Sequence, residues 1–324
     1  VDPLHDVLAL LEVRAHLSAS LTAGGDWAVR FDAPSGAEFN AVRRGSCRLD
    51  VEGAGEPLDL AEGDCYLLTG PYPSTLSSGP DIAPVPAAPR FTAAGNGTAR
   101  AGRGEDTLLV GGRFSFGPRA RELLLDRLPP VIHIPAGAPH ARTVAQVLAA
   151  IEQELAERPM ASALVAEHLA VVMLVHTLRL HLARAPHTVS GWMAGLADPV
   201  TAAALTALHR DPAHPWTVAE LAGVCAVSRS TLAARFKNAV GRGPLEYLTQ
   251  WRIELTARRL RDTDATLAAI ARDVGYGSES ALSVAFKRVT GLPPGDYRRR
   301  PAAPDPRRPD GPGSLPHPHT SPVQ

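Results

Sequence analysis

Ile270-Ala-Arg-Asp-Val-Gly-Tyr-Gly-Ser-Glu-Ser-Ala-Leu-Ser-Val-Ala-Phe-Lys-Arg-Val-Thr-Gly-Leu-Pro-Pro-Gly-Asp-Tyr-Arg298 decides the fold of the C-terminal third. It reads as a short helix, a glycine-bearing turn, a second helix and a Gly-x-x-Pro stop. It is also a second copy. Leu282, Phe286, Lys287, Gly291, Pro294 and Tyr297 each have a counterpart 50 positions earlier, at Leu232, Phe236, Lys237, Gly241, Pro244 and Tyr247. Before the turn, Ile270-Ala271 answers Leu221-Ala222 one residue out of step, so the second turn carries one extra residue, Gly277. A repeat this regular marks one supersecondary unit used twice. Two helix-turn-helix units in one chain suit two successive grooves on one face of DNA.

Working outward, the first copy begins at Thr217-Val-Ala-Glu220, a capping box in which Thr accepts from the Glu backbone and the Glu carboxylate reaches back. A support helix over Val218–Val224 places Val218, Leu221 and Ala222 inward, and small Ala222 and Gly223 allow a second helix to cross closely. Ala226-Val227 is the turn and Ser228 the N-cap of a reading helix, Arg229–Lys237, with Leu232 and Phe236 as its core face. In the second copy Leu267–Val274 is the support helix, Ser278 the cap and Glu279–Val289 the reading helix. Pro244–Arg261 is predicted as a long linking helix, with Leu245, Leu248, Trp251 and Leu255 on one side.

Charge follows the same division. The chain has 324 residues and a net charge of zero, but residues 1–204 carry 16 Lys/Arg against 22 Asp/Glu, and residues 205–300 carry 15 against 9. A basic module joined to an acidic one is the footprint of a phosphate-facing domain attached to one that does not meet phosphate. Three scattered cysteines, Cys47, Cys65 and Cys225, exclude a disulfide scaffold and a zinc finger, and fit a reducing cytoplasm. No signal peptide is expected, because Asp2, His5, Asp6 and Glu12 interrupt the apolar pattern. The longest apolar run, Leu169–Val175, is too short to cross a bilayer, so no membrane partner is expected.

The N-terminal part reads differently. Residues 1–22 carry a helical pattern in Leu4, Val7, Leu8, Leu11 and Leu17. Short strands follow at 27–31, 39–42, 47–51, 65–68 and 107–110, punctuated by Gly, Pro, Asn and Asp, which suits an antiparallel barrel or sandwich. Residues 79–105, rich in Pro and Gly, read as an excursion between strands. Helices are predicted over Thr143–Glu157 and Ala161–Ala183. In the second, Leu164, Val171, Val175, Leu178 and Leu182 fall on heptad spacing, as in a helix packed on its own domain or one paired across a dimer. Residues 184–197 connect to the basic module. The segment 301–324 lacks periodicity and reads as a disordered tail whose His317 and His319 face solvent. The expected fold class is therefore α+β and multidomain. A sensor domain takes up 1–140, a helical connector and dimerisation region 141–196, and an all-α double helix-turn-helix domain 197–300.

Residues 200–300 resemble the AraC/XylS family of bacterial transcription regulators. The stretch Ile270–Arg298 is similar to that family's signature almost throughout, and Trp216–Tyr247 to its first helix-turn-helix. The resemblance implies binding to double-stranded promoter DNA, with the second helix of each unit in adjacent major-groove segments. Carried over by position, Ser230, Ala233 and Ala234 face bases in the first unit, and Glu279, Ser280, Ser283 and Val284 in the second. Arg229, Thr231, Lys237, Ser278, Lys287 and Arg288 complete the expected DNA-binding set, chiefly through phosphate. Arg235 serves phosphate or covers core surface with its stem. Where the family often carries a guanine-reading Arg, this chain has Ala234 and Val284.

Asp2–Leu8, Gly25–Trp27, Phe39–Cys47 and Gly63-Asp64 resemble, more loosely, the cupin-like sensor domain of some such regulators. Cupin enzymes hold a metal through His and Glu. Here Asn40 and Ser74 stand at ligand positions and only the lone His133 and His140 remain, so neither metal nor cofactor is expected. Gly63-Asp64 reads as a turn, and Cys47 and Cys65 as structural residues rather than a thiol switch. The functional expectation is a cytoplasmic one-component regulator and not an enzyme. The resemblance favours activation, with a homodimer, a small-molecule effector and RNA polymerase as further partners. The alternative is a metal-dependent cupin enzyme with an appended DNA-binding module.

Overall fold

The computed structural model describes residues 2–34, 36–94, 98–117, 119–139 and 141–299; His140 and the segment 301–324 lie outside the described residues. The chain starts with α1 (Pro3–Leu10), capped by Asp2, whose Oδ1 accepts from Leu4 N at 2.9 Å. The helix has 8 residues, little more than a third of the span that the apolar pattern suggested. Glu12 takes a positive φ of 48° and the chain turns into β1 (Arg14–Gly24). This strand lies inside a sheet, antiparallel to one neighbour and parallel to another. Its Ala and Ser residues hide the period-2 signal that longer side chains would have displayed.

The strands β2 (Ala28–Phe31), β3 (Ala37–Arg44), β4 (Ser46–Val51), β5 (Leu58–Ala61), β6 (Cys65–Leu68), β7 (Ser74–Ser77) and β8 (Val85–Pro86) follow. Then come α2 (Ala87–Ala94), β9 (Thr98–Gly102), β10 (Thr107–Ser115), α3 (Ala120–Leu123) and β11 (Val131–Ile134). They form two sheets rather than one closed cylinder, in the orders β11-β6-β3-β10-β1-β9 and β5-β4-β7-β2-β8. The supposed excursion at 79–105 supplies an edge to each sheet: β8 runs parallel to β2 and β9 parallel to β1. Its small residues Ala87, Ala99 and Ala101 are buried, while most of its other described residues are exposed.

Each sheet contributes one face to a core that includes Trp27, Val29, Val42, Leu49, Leu60, Tyr66 and Leu109. The other face of the larger sheet, with Phe39, Ala41, Cys65 and Leu67, packs against helices. That double burial is why Cys65-Tyr-Leu-Leu68 is an unbroken apolar run. Cys47 and Cys65 sit in different sheets and different cores, and burial pushes both thiols up to about 12. They are inert packing residues.

The covering helices are α4 (Ala141–Glu157) and α5 (Ser162–Arg184). By length and composition α5 could cross a membrane, with a mean hydropathy of 1.6. The shorter run singled out in the sequence understated it, but here Ala166, Ala170, Met173, Leu174 and Leu178 are buried within the fold. The heptad stripe is thereby split: Leu178 is fully buried in its own chain, while Leu164 is exposed.

Beyond α6 (Trp192–Gly195) and α7 (Pro199–Arg210) lie α8 (Val218–Val224), α9 (Arg229–Val240), α10 (Pro244–Asp262), α11 (Leu267–Asp273), α12 (Glu279–Thr290) and α13 (Pro294–Arg299). The N-terminal half is fastened to this bundle. In α7, buried His209 lies 3.1 Å from Asp6 through Nδ1 and 2.8 Å from the Tyr247 hydroxyl through Nε2, and it stacks on Trp251 with 4.2 Å between ring centroids. Burial lowers its pKa to about 4, outweighing the pull of Asp6. From the loop before α3, Arg119 donates to both carboxylate oxygens of Glu254 on α10, at 2.6 and 3.2 Å.

Candidate nucleic-acid interface

Each helix-turn-helix unit is built by local chemistry. Thr217 Oγ1 accepts from Glu220 N at 3.1 Å, as the capping box requires, but the Glu220 carboxylate turns to His214 Nε2 at 2.6 Å instead of closing the box. Ser228 accepts from Thr231 N and Ser278 from Ala281 N, both at 3.1 Å, starting the two reading helices where the sequence places them. Gly241 and Gly291 end them with φ of 84° and 77°, each donating back to the carbonyl of Lys237 or Lys287.

The turns share one hydrogen-bond pattern despite the extra residue. Val227 N reaches Ala222 O at 3.0 Å, and Tyr276 N reaches Ala271 O at 2.8 Å. The left-handed residue is Ala226 in the first unit, with φ of 54°, and Gly275 in the second, with φ of 82°. Only Gly fits the second, because a Cβ there would lie 2.3 Å from the Ala213 carbonyl oxygen. The second turn thus rests on the loop that enters the first unit. Arg252 of α10 secures that loop, donating to Pro212 O at 2.6 Å and His214 O at 2.8 Å while lying over the Tyr276 ring. Nothing in the sequence flagged Arg252; its partners are about 40 positions away.

The linking helix divides its buried residues between the two units. Tyr247, Leu248 and Trp251 join the first core, and Ile253, Ala257 and Leu260 the second. Leu245, expected inward, is exposed. Gly223 is exposed too, with open space where a Cβ would stand, so it does not serve a close helix crossing.

On α9, Leu232 and Phe236 are fully buried, while Arg229, Ser230, Thr231, Ala234 and Lys237 are exposed and Ala233 is half-buried. On α12, Leu282 and Phe286 are buried. Ser278, Glu279, Ser280, Lys287 and Arg288 are exposed, Ser283 is half-buried and Val284 is 71% exposed. The structure therefore gathers the sequence-chosen residues onto the outer faces of two helices. Arg229, Lys237, Lys287 and Arg288 have no carboxylate partner among the described residues. Arg235 is different: its Nε donates to Asp198 Oδ2 at 3.0 Å and a second guanidinium nitrogen grips the same oxygen. Asp198 also caps α7 through Thr201 N at 2.8 Å, so Arg235 braces α9 against α7 and is not a free phosphate ligand.

The exposed apolar positions make a test. Ala234→Arg or Val284→Arg is expected to favour sites carrying a guanine opposite that position by about 1–3 kcal/mol, since an Arg fork can bond O6 and N7 together. Selection from a random DNA pool checks this. A uniform gain on all sequences would mean the side chains reach phosphate instead.

In the N-terminal half, the positions where a cupin enzyme would hold metal fall in different sheets, Asn40 on β3 and Ser74 on β7. His133 Nε2 lies 3.1 Å from Asp64 Oδ2, and Asp64 also accepts from Ala61 N at 3.1 Å and Ala136 N at 2.8 Å. Gly63-Asp64 is thus a turn that clamps a strand end. Among the described residues no three His, Cys, Asp or Glu side chains converge as a metal site would need.

Comparison with known proteins agrees with this architecture. A cupin family profile matches residues 2–183 and a helix-turn-helix domain profile matches residues 221–300. A protein of Streptomyces lividans named as an AraC-like transcription regulator is 70% identical over 304 residues, covering 94% of this chain and 100% of its own. One of the same description from Streptomyces antibioticus is 69% identical over 301 residues, covering 93% and 99%. Among solved structures, the DNA-binding domain of AdpA in complex with a target DNA is 31% identical, covering 31% of this chain and 90% of that one with a TM-score of 0.30. The chain belongs to the AraC-like transcription regulators, with a cupin domain followed by a helix-turn-helix DNA-binding domain.

Proposed function

We propose that the chain is a sequence-specific, one-component activator. Residues 197–300 lay α9 and α12 into successive major-groove segments of promoter DNA, and residues 1–140 sense an effector. The observation that carries this reading is the pair of outward faces, held at a set spacing by α10 and bearing four cations without acidic partners. Arg229, Thr231, Lys237, Ser278, Lys287 and Arg288 take phosphate or frame the helix starts. Ser230, Ala233, Ala234, Glu279, Ser280, Ser283 and Val284 face the bases, reading methyl groups and DNA shape more than guanine. The protein works in the cytoplasm on the nucleoid, recruits RNA polymerase, and uses neither metal nor catalysis.

Footprinting with the full chain tests the reading. Protection should cover two segments about one helical turn apart. If the four cations each neutralise one phosphate, affinity should drop by about 150-fold between 50 and 200 mM salt. Protection of one segment only, or a flat salt dependence, would contradict the two-unit placement.

A homodimer forms through the connector at 141–196. The exposed apolar residues Leu155, Leu164, Val165 and Val172 favour this, whereas buried Leu178 is committed to its own chain. Replacing Leu164 and Val172 together by Glu is expected to give folded monomers in sedimentation. A folded dimer would move the interface to the sheets.

A further inference from the structure

A half-open cleft lies between the N-terminal half and the DNA-binding half. Its donors and acceptors are out of balance. Trp251 of the linking helix is 4% exposed, and its indole Nε1 is buried with no acceptor among the described residues. Trp192 also lines the cleft, but its N–H is already given to Leu123 O at 2.7 Å. Two guanidiniums face the same space from opposite halves: Arg127, and Arg242 in the loop that follows α9. Among the described residues Arg127 donates to a backbone carbonyl, that of Glu122 at 3.2 Å. Neither has a carboxylate partner among the described residues. The acids present, Glu122 and Glu254, are both engaged by Arg119, at 3.0 and 2.6 Å. Counting these five groups, the cleft keeps one positive charge in excess. Between the polar groups the walls are apolar, with Val7, Leu123 and Val240 beside the two tryptophans.

A small-molecule site typically combines apolar walls with a few convergent polar groups. We propose that this cleft binds a small organic carboxylate with a planar apolar body. Arg127 and Arg242 hold the carboxylate, and the rings of Trp192 and Trp251 bound the apolar part. Such a ligand ties the N-terminal half to the end of the first reading helix. Its meaning as the regulatory effector rests on the function proposed above; its binding does not. The core between the two sheets is filled by Trp27, Leu49, Tyr66, Leu76 and Leu109, which leaves the space between the halves as the better-furnished site.

The test uses p-bromobenzoate and the full chain without DNA. Titration followed by tryptophan fluorescence and calorimetry should saturate at one ligand per chain. Arg127→Met and Arg242→Met should each weaken binding by about tenfold, Trp251→Phe should weaken it less, and p-bromobenzyl alcohol should bind at least tenfold more weakly than the acid. Thermal unfolding of each variant separates lost binding from lost fold, and Arg242→Lys should recover part of the affinity. In crystals, the anomalous bromine peak should lie in the cleft. No saturation by 10 mM, equal binding of the alcohol, or a bromine peak between the sheets would overturn the site. Binding in the cleft with no change in affinity for DNA would leave the site standing and remove its regulatory role. Binding in the cleft by a chain that binds no DNA would sink the function reading alone.

Discussion

Replacing Arg119 by Met is expected to destabilise the protein by about 3 kcal/mol at neutral pH, and by much less in acid. Glu254 is the reason. Its side chain is 2% exposed, and among the described residues Arg119 is the one that forms an ion pair with it. Burial pushes the Glu254 carboxyl above the ordinary carboxylate range, and the bonds from Arg119 pull it part of the way back. A raised carboxylate pKa favours the fold below the unfolded value of about 4.3, and that contribution is lost as pH climbs through the folded value. Without Arg119 the folded value rises further. The gap between wild type and variant should therefore stay small until pH passes the wild type's folded value, which lies above the unfolded value of about 4.3, widen between that value and the variant's higher one, and level off beyond it. Denaturant unfolding at several pH values measures this. Replacing both residues by Met should restore most of the loss, because the cost lies in the stranded charge rather than in the missing bridge. A pH-independent loss, or no recovery in the double variant, would show that packing of the Arg stem matters more.

Replacing Phe286 by Ala should cost about 3–5 kcal/mol, and so should the repeat-equivalent Phe236→Ala, but the two should fail differently. Both rings are fully buried; Phe286 meets Tyr297 edge-on at 5.2 Å and Phe236 meets Tyr247 at 5.9 Å. Phe286 belongs to a small separate core with Ile253, Leu260, Ile270 and Leu282. Phe236 belongs to a core that continues through Trp192, Leu205, Leu208 and Val7 into the N-terminal half. Phe286→Ala should thus open residues 267–299 locally, accelerating amide exchange there alone and shrinking the DNA footprint to the first unit's segment. Phe236→Ala should lower the unfolding midpoint of the whole molecule. Equal, chain-wide acceleration of exchange in both variants would mean that the two units do not unfold separately.

These contrasts mark what was legible in the sequence. The helix-turn-helix units were legible because nearly everything that makes them is local. Thr217, Ser228 and Ser278 cap within three residues, Gly241 and Gly291 stop their helices, and Leu-x-x-x-Phe buries one face of each reading helix. The repeat then supplied a second, independent reading of the same rules. Strands with long side chains, such as Cys47–Val51 and Cys65–Leu68, were legible for the same reason. The strands β1 and β9 were not, because Ala, Ser and Gly give little periodic signal and their pairing partners are distant in sequence.

By itself, then, the sequence determined the two reading helices, their caps and their outward residues, since helix periodicity and capping act over a few positions. Tertiary structure alone decided which charges remain free for DNA. Arg235 looked like its neighbours until Asp198, 37 positions earlier, was found to hold it. It also decided that Leu178 serves its own core, that Arg252 sets one unit against the other, and that Arg119 clasps a carboxylate 135 positions away. A guanidinium carries no local mark of its partner: its bonds depend on which distant groups the folded backbone brings within about 3 Å, and chain order does not encode that distance.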